Sequence, residues 1–196
     1  MIELLTGASL ASAAGLNAYV PLLVIGLADR FTTFVELPDA WSWLSGWPAL
    51  AILGVLLVIE VVADKVPAVD TLNDVVQTVV RPASGGLVVG AGTAGEQVVD
   101  GSTWSGTSWW AVALGVGIAL AVHLLKASVR PVLNAATFGL AAPVVSSVED
   151  ASSVVISVLA IVVPVLAAIG VVAVVVTLVR LARRRRRRAS QLGTTT

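Results

Sequence analysis

The sequence predicts an all-α membrane bundle of about six transmembrane helices with an amphipathic helix on its inner face. Three observations predict it. Hydrophobic residues fill 57% of the 196 positions and only 12% are charged, against roughly 25% charged in an ordinary soluble domain. The mean hydropathy is +0.96. Apolar runs close to the ~20 residues of a bilayer crossing recur along the chain, parted by short stretches that hold most of the charges.

The elements follow in order. Residues 4–27 read as the first span. Glu3, with no Lys or Arg before the apolar run, argues for a retained helix over a cleaved signal peptide. Pro21 is expected to kink this helix near mid-bilayer. Residues 48–63, 108–125 and 154–181 are the other strong spans. Residues 85–99 are short, glycine-rich and interrupted by Glu96, and 132–148 hold Asn134, Thr137 and Pro143. Each is either a span lined by protein or a re-entrant piece, because lipid cannot satisfy an irregular backbone; six crossings is the better reading, since four would leave the tryptophans without a side. Residues 1–181 then form a single transmembrane domain and 182–196 a disordered, basic cytoplasmic tail.

A net charge of zero hides an asymmetry: Arg180 and Arg183 to Arg188 supply seven of the 12 basic residues. Lys and Arg collect on the cytoplasmic side, so this run places the C-terminus inside. Six crossings place the N-terminus inside as well. Lys65, Arg81, Lys126 and Arg130 then fall on inner loops and Arg30 outside. Trp41, Trp43, Trp47, Trp104, Trp109 and Trp110 fall on or beside outer loops, with Asp29, Glu36, Asp39, Asp100, Glu149 and Asp150. Directly after a span, the arginine run reads as a topology anchor and a contact for anionic lipid headgroups, not as a nucleic-acid site.

Val-Arg-Pro occurs at 80–82 and again at 129–131, each followed by a run of small residues. This suggests a duplicated helical hairpin, and paired interrupted segments are a pointer to substrate sites in transporters. Gly7, Ala11 and Gly15, and likewise Gly86 and Gly90, form small-residue stripes suited to close helix packing.

The chain has no cysteine, which excludes disulfides and thiolate chemistry. Phosphate-binding loops, paired-histidine metal motifs and nucleophile elbows are missing too, so no catalytic residue and no cofactor are assigned. The informative stretch is EVVADKVPAVDTLNDVVQTVVR, residues 60–81. Glu60 and Asp64 share a helix face, Pro67 opens the next helix, and Asp70, Asp74, Gln77 and Arg81 recur at helical spacing. With Lys65, these groups line an ion or proton path, hold a divalent cation, or form ordinary solvated ion pairs; all three readings stand. His123, the one histidine, precedes Lys126 and Arg130 by three and seven residues. Those two cations can pair with Glu60 and Asp64 or face an anionic headgroup. Asn17 and Asn134 serve either as interhelical hydrogen-bonding groups or as solute ligands.

GLNAYVPLLVIGLADR near the N-terminus and the E-x3-DK-x-P-x2-D-x3-D-x6-RP string make the chain resemble the domain-of-unknown-function 4126 family. The resemblance covers most of the chain apart from the arginine tail. It implies a small bacterial inner-membrane protein and carries no agreed activity. The expectation is transport of a small solute or ion between helices, with Glu60 and Asp64 as coupling acids and Arg81 and Arg130 as counter-ions, completed by a homodimer if six short helices are too thin. The alternative is a non-transporting membrane scaffold or lipid-binding protein. An enzyme acting on lipid phosphates ranks third.

Overall fold

Proline and asparagine, more than the ends of apolar runs, decide where the helices stop. The computed structural model describes residues 2–33, 35–93, 96–99, 102–105, 109–138 and 140–192. The elements are α1 (Ile2–Leu16), α2 (Tyr19–Phe31), a 3-10 segment (Asp39–Ser45), α3 (Trp47–Ala63), α4 (Pro67–Thr93), β1 (Glu96–Val99), β2 (Ser102–Ser105), α5 (Trp109–Ala136), α6 (Ala142–Val162) and α7 (Pro164–Leu192). The fold is all-α apart from the antiparallel ribbon of β1 and β2, in which Glu96 pairs with Ser105 and Val99 with Ser102.

The first apolar run is two helices. Asn17 ends α1, and its Oδ1 accepts the backbone N–H of Tyr19 and of Val20, each at 3.1 Å, which caps α2. Pro21 lies in the first turn of α2, where a missing N–H costs nothing, so it does not kink a long span as expected. The two helices fold back on each other. Thr6 Oγ1 donates to Ala160 O, Ser153 Oγ to Ala13 O and Asn17 Nδ2 to Asp150 Oδ1, so α1 runs antiparallel to α6. Gly26 lies against Leu44 and Leu50, and Arg30 Nη1 donates to Ser45 O, so α2 returns toward the tryptophans.

The last run also divides. Pro164 cannot continue α6 but suits the first position of α7. Gly170 lies against Ile156, so α6 and α7 form a hairpin about Val163. This places Ile2 and Arg180 at opposite ends of the bundle, where both termini were expected on one side. The backbone of α7 stays helical through the arginines to Leu192, past residue 181, where the membrane domain was expected to end.

The middle of the chain departs furthest from expectation. Residues 85–99 are not a separate span: 67–93 form one helix with Pro82 inside it, and 96–99 are the first strand of the ribbon. Residues 132–148 straddle the end of α5 and the start of α6. Lys126 and Arg130 lie within α5, not on a loop. Six spans are therefore not what the structure supports. Among the described residues, two helices, Trp109–Leu133 and Ala142–Val162, are long and apolar enough to cross a membrane, or three if Asp39–Ser45 and Trp47–Ala63, bent by 55°, count as one. The duplication fails as well. Thr78 meets His123, Gly85 meets Gly115, and Gly90 meets Val112, so α4 and α5 are antiparallel and the two Val-Arg-Pro copies point in opposite directions.

Small residues bring α1, α4 and α5 together. A Cβ on Gly15 would sit 2.6 Å from Ala119 O and from Val122 Cβ. Gly86 lies against Val112 and Val116, and Gly90 against the ring of Trp41. At the tryptophan end, the Arg30 guanidinium stacks 4.3 Å from the Trp47 ring centroid, a cation–π contact.

Burial is inverted relative to a water-soluble protein. Val55, Ile59, Val62, Leu72, Val75, Val79, Val158 and Ile169 are exposed, while Glu60, Asp64, Arg81, His123, Lys126 and Arg130 are buried. On α6, Ser146, Glu149, Ser153 and Ser157 make the inner stripe. A surface this aliphatic around a charged interior suits hydrocarbon as the solvent.

Candidate functional site

The charged side chains reach the centre from four helices, α3 to α6. Glu60 sits in the last turn of α3 and Asp64 at its C-cap. Asn73, Gln77, Arg81 and Ser84 follow at helical spacing along α4. His123, Lys126 and Arg130 do the same along α5, and Glu149 comes from α6. The tip of the α1–α2 hairpin closes the group: Lys126 Nζ donates to Leu16 O at 2.9 Å, and Ser84 Oγ donates to Ala18 O.

Asp64 is the hub. Its Oδ2 lies 3.1 Å from Arg130 Nη2, 3.4 Å from Lys126 Nζ and 3.6 Å from Arg81 Nη2, and its Oδ1 accepts from Asn73 Nδ2 at 2.7 Å. Glu149 Oε2 is held by Arg130 Nη2 at 2.7 Å and Lys126 Nζ at 3.0 Å. Lys126 thus has three acceptors for the three protons of its ammonium: Leu16 O, Glu149 and Asp64. Arg81 donates through Nε and Nη2 to Glu60 Oε1 at 3.3 and 2.8 Å. Three carboxylates face three cations, so the group is neutral as a whole.

His123 extends the network. Arg81 Nη1 lies 3.1 Å from His123 Nδ1, and a guanidinium can only donate, so Nδ1 is the acceptor. Thr78 Oγ1 donates to Asp74 O at 2.8 Å and therefore accepts from His123 Nε2 at 3.0 Å. The network assigns a neutral imidazole with its proton on Nε2.

Two acceptors stand out: among the described residues, Glu60 Oε2 and Gln77 Oε1 are buried without a hydrogen-bond donor. Lys65 lies apart from the hub, 3.8 Å from Asp150, which also accepts from Asn17. Asp74 lies on α4 with a buried Oδ1 that has no donor. The side chains of Asp70 and Asn134 lie outside the described residues. Among the described residues there is no group of three acids or histidines placed to hold a metal ion.

Glu149 and Asp150 were expected on the far side of the membrane from Lys126 and Arg130. Glu149 is in contact with both, and groups separated by about 30 Å of hydrocarbon cannot touch. The missed signal was the 146, 149, 153, 157 polar spacing, which marks a helix whose wet face turns inward. Asn73 and Thr78 were missed as well; they join the network through Asp64 and His123.

Asp64→Asn is expected to lower the melting temperature of the detergent-solubilised protein near neutral pH, because it leaves Arg130, Lys126 and Arg81 short of an anion. An unchanged melting temperature would remove Asp64 as the hub.

An aliphatic exterior, apolar helices long enough to cross a membrane and ionic groups gathered inside define the class: a helical membrane protein. The chain belongs to the family described as Domain of unknown function (DUF4126), whose family model matches residues 4–184. No curated protein and no solved structure matches it.

Proposed function

We propose that the protein moves a proton or small cation across the bacterial inner membrane, with Glu60 as the accepting group. The observation that carries this reading is the bare Glu60 Oε2: one oxygen is held by Arg81 and the other, fully buried, has no donor. A buried acceptor left unpaired costs about 1–3 kcal/mol, and an arriving proton or cation relieves that cost. The setting supports it. The carbonyl end of a broken helix faces the cluster at Leu16, the position where discontinuous helices coordinate cations in transporters. There, the Lys126 ammonium stands as a tethered cation that an incoming one can replace. With the arginine run on the cytoplasmic side, the cluster lies in the inner half and the tryptophans in the outer half.

Purified protein in liposomes is the test, with proton and alkali-cation flux read by entrapped dyes. The wild type is expected to conduct, and Glu60→Gln, which keeps an oxygen for Arg81 to donate to, to lower flux at least about tenfold while still unfolding in one cooperative transition. The second reading is a non-transporting scaffold, favoured by the mutual pairing of Asp64, Glu149, Lys126 and Arg130. Wild-type protein that passes no ion, alongside a stable Glu60→Gln, selects it.

A further inference from the structure

Two bare acceptors lie on neighbouring helices: Glu60 Oε2 on α3 and Gln77 Oε1 on α4, in residues only 1% and 2% exposed. Gln77 stands one turn before Arg81 on the same face of α4, and Arg81 reaches Glu60 through its other oxygen, Oε1. Tyr19, the first residue of α2 past the break at Asn17, sets its hydroxyl beside the Gln77 amide and within electrostatic reach of Glu60. Three oxygens from three helices therefore gather on one side of the Arg81 guanidinium.

Oxygen is the donor that hard cations take. A proton bonds one oxygen and hydrogen-bonds one more, whereas a coordinated cation engages all three. One of the three is a carboxylate and two are neutral, which suits a single positive charge. The surrounding charge agrees. Half-buried Asp74 adds a fourth carboxylate to Glu60, Asp64 and Glu149, within reach of Lys126 and Arg81. Arg81, Lys126 and Arg130 are the cations, and Lys65 and Asp150 cancel, so the described interior side chains carry one negative charge in excess. We propose that Glu60 Oε2, Gln77 Oε1 and the Tyr19 hydroxyl together bind one alkali-metal cation. This names the ion for the transport reading and rests on Glu60 as its acceptor.

The probes are radiolabelled sodium and, standing in for potassium, rubidium, at equilibrium with the full chain in detergent, beside the flux assay in liposomes. Saturable binding of one ion per chain is expected for at least one of the two. Gln77→Met keeps the bulk and drops the oxygen, and Asp74→Asn removes the excess charge; each should weaken binding at least about tenfold. Thr177→Ala, at an exposed hydroxyl of α7, should leave it unchanged. Wild-type protein that binds neither ion saturably overturns the proposal, as does a Gln77→Met protein that binds like wild type. Proton flux that Glu60→Gln removes would then leave the transport reading standing, with the proton as its ion. Saturable binding without flux of any ion keeps the site and overturns the transport reading. The wild-type measurement decides the matter even if a variant fails to fold.

Discussion

Lys126→Met is expected to destabilise the bundle by about 3–5 kcal/mol, the cost of breaking a buried ion pair by removing one partner. The ammonium touches the α1–α2 hairpin, Asp64 and Glu149 together. Methionine fills a similar volume but leaves two carboxylates and the Leu16 carbonyl short of a donor. At roughly 2–4 °C per kcal/mol for a chain of this size, thermal unfolding in detergent should shift down by about 10 °C. Adding Glu149→Gln removes an anion as well, so the double variant should lose less than the two single losses summed, with a coupling of at least about 1 kcal/mol. Strict additivity would mean that the two groups do not act on each other.

The second large effect is expected at Gly85. There the α4 and α5 backbones meet: an added Cβ would collide with Ala119 Cβ and lie 2.7 Å from Gly115 O. Both obstacles are backbone or a backbone-fixed methyl, so neither can swing away. Gly85→Ala is expected to cost about 1–3 kcal/mol by overpacking, and Gly85→Leu to prevent α4 from docking on α5, read as loss of the monodisperse peak in size-exclusion chromatography. Gly117 on α5 has nothing within 4 Å of its added Cβ, so Gly117→Ala should be neutral or gain up to about 1 kcal/mol from helix propensity. A Gly85→Ala protein as stable as Gly117→Ala would contradict the close approach.

Much of this cluster is legible in the sequence because charge is scarce. In an apolar chain, Glu60, Asp64, Arg81, Lys126 and Arg130 stand out, and opposite charges in hydrocarbon seek one another. Proline at 67 also marks the start of α4 directly. What the sequence does not disclose is direction. An apolar run of 24 residues at 4–27 is the same string whether it crosses once or folds back at Asn17, and hydropathy is blind to that choice. Pro21 drew notice as a helix breaker, whereas the Asn17 side chain does the breaking by capping α2. The wrong side for Glu149 follows from the same blindness, since sidedness was carried from span to span by counting crossings.

The order in which the ionic groups leave the ribosome matters. Glu60 and Asp64 are made first, Arg81 next, Lys126 and Arg130 some 45 residues later, and Glu149 last. An unmatched charge costs about 2.5–3.5 kcal/mol at the centre of a bilayer helix on insertion scales, and less toward its end, where Glu60 and Asp64 sit. During synthesis, then, α3 waits with two anions that nothing neutralises, and α5 afterwards holds an excess cation until α6 emerges. Helices α3 to α6 are poor passengers singly and good ones together, so their entry into the lipid is coupled to their assembly.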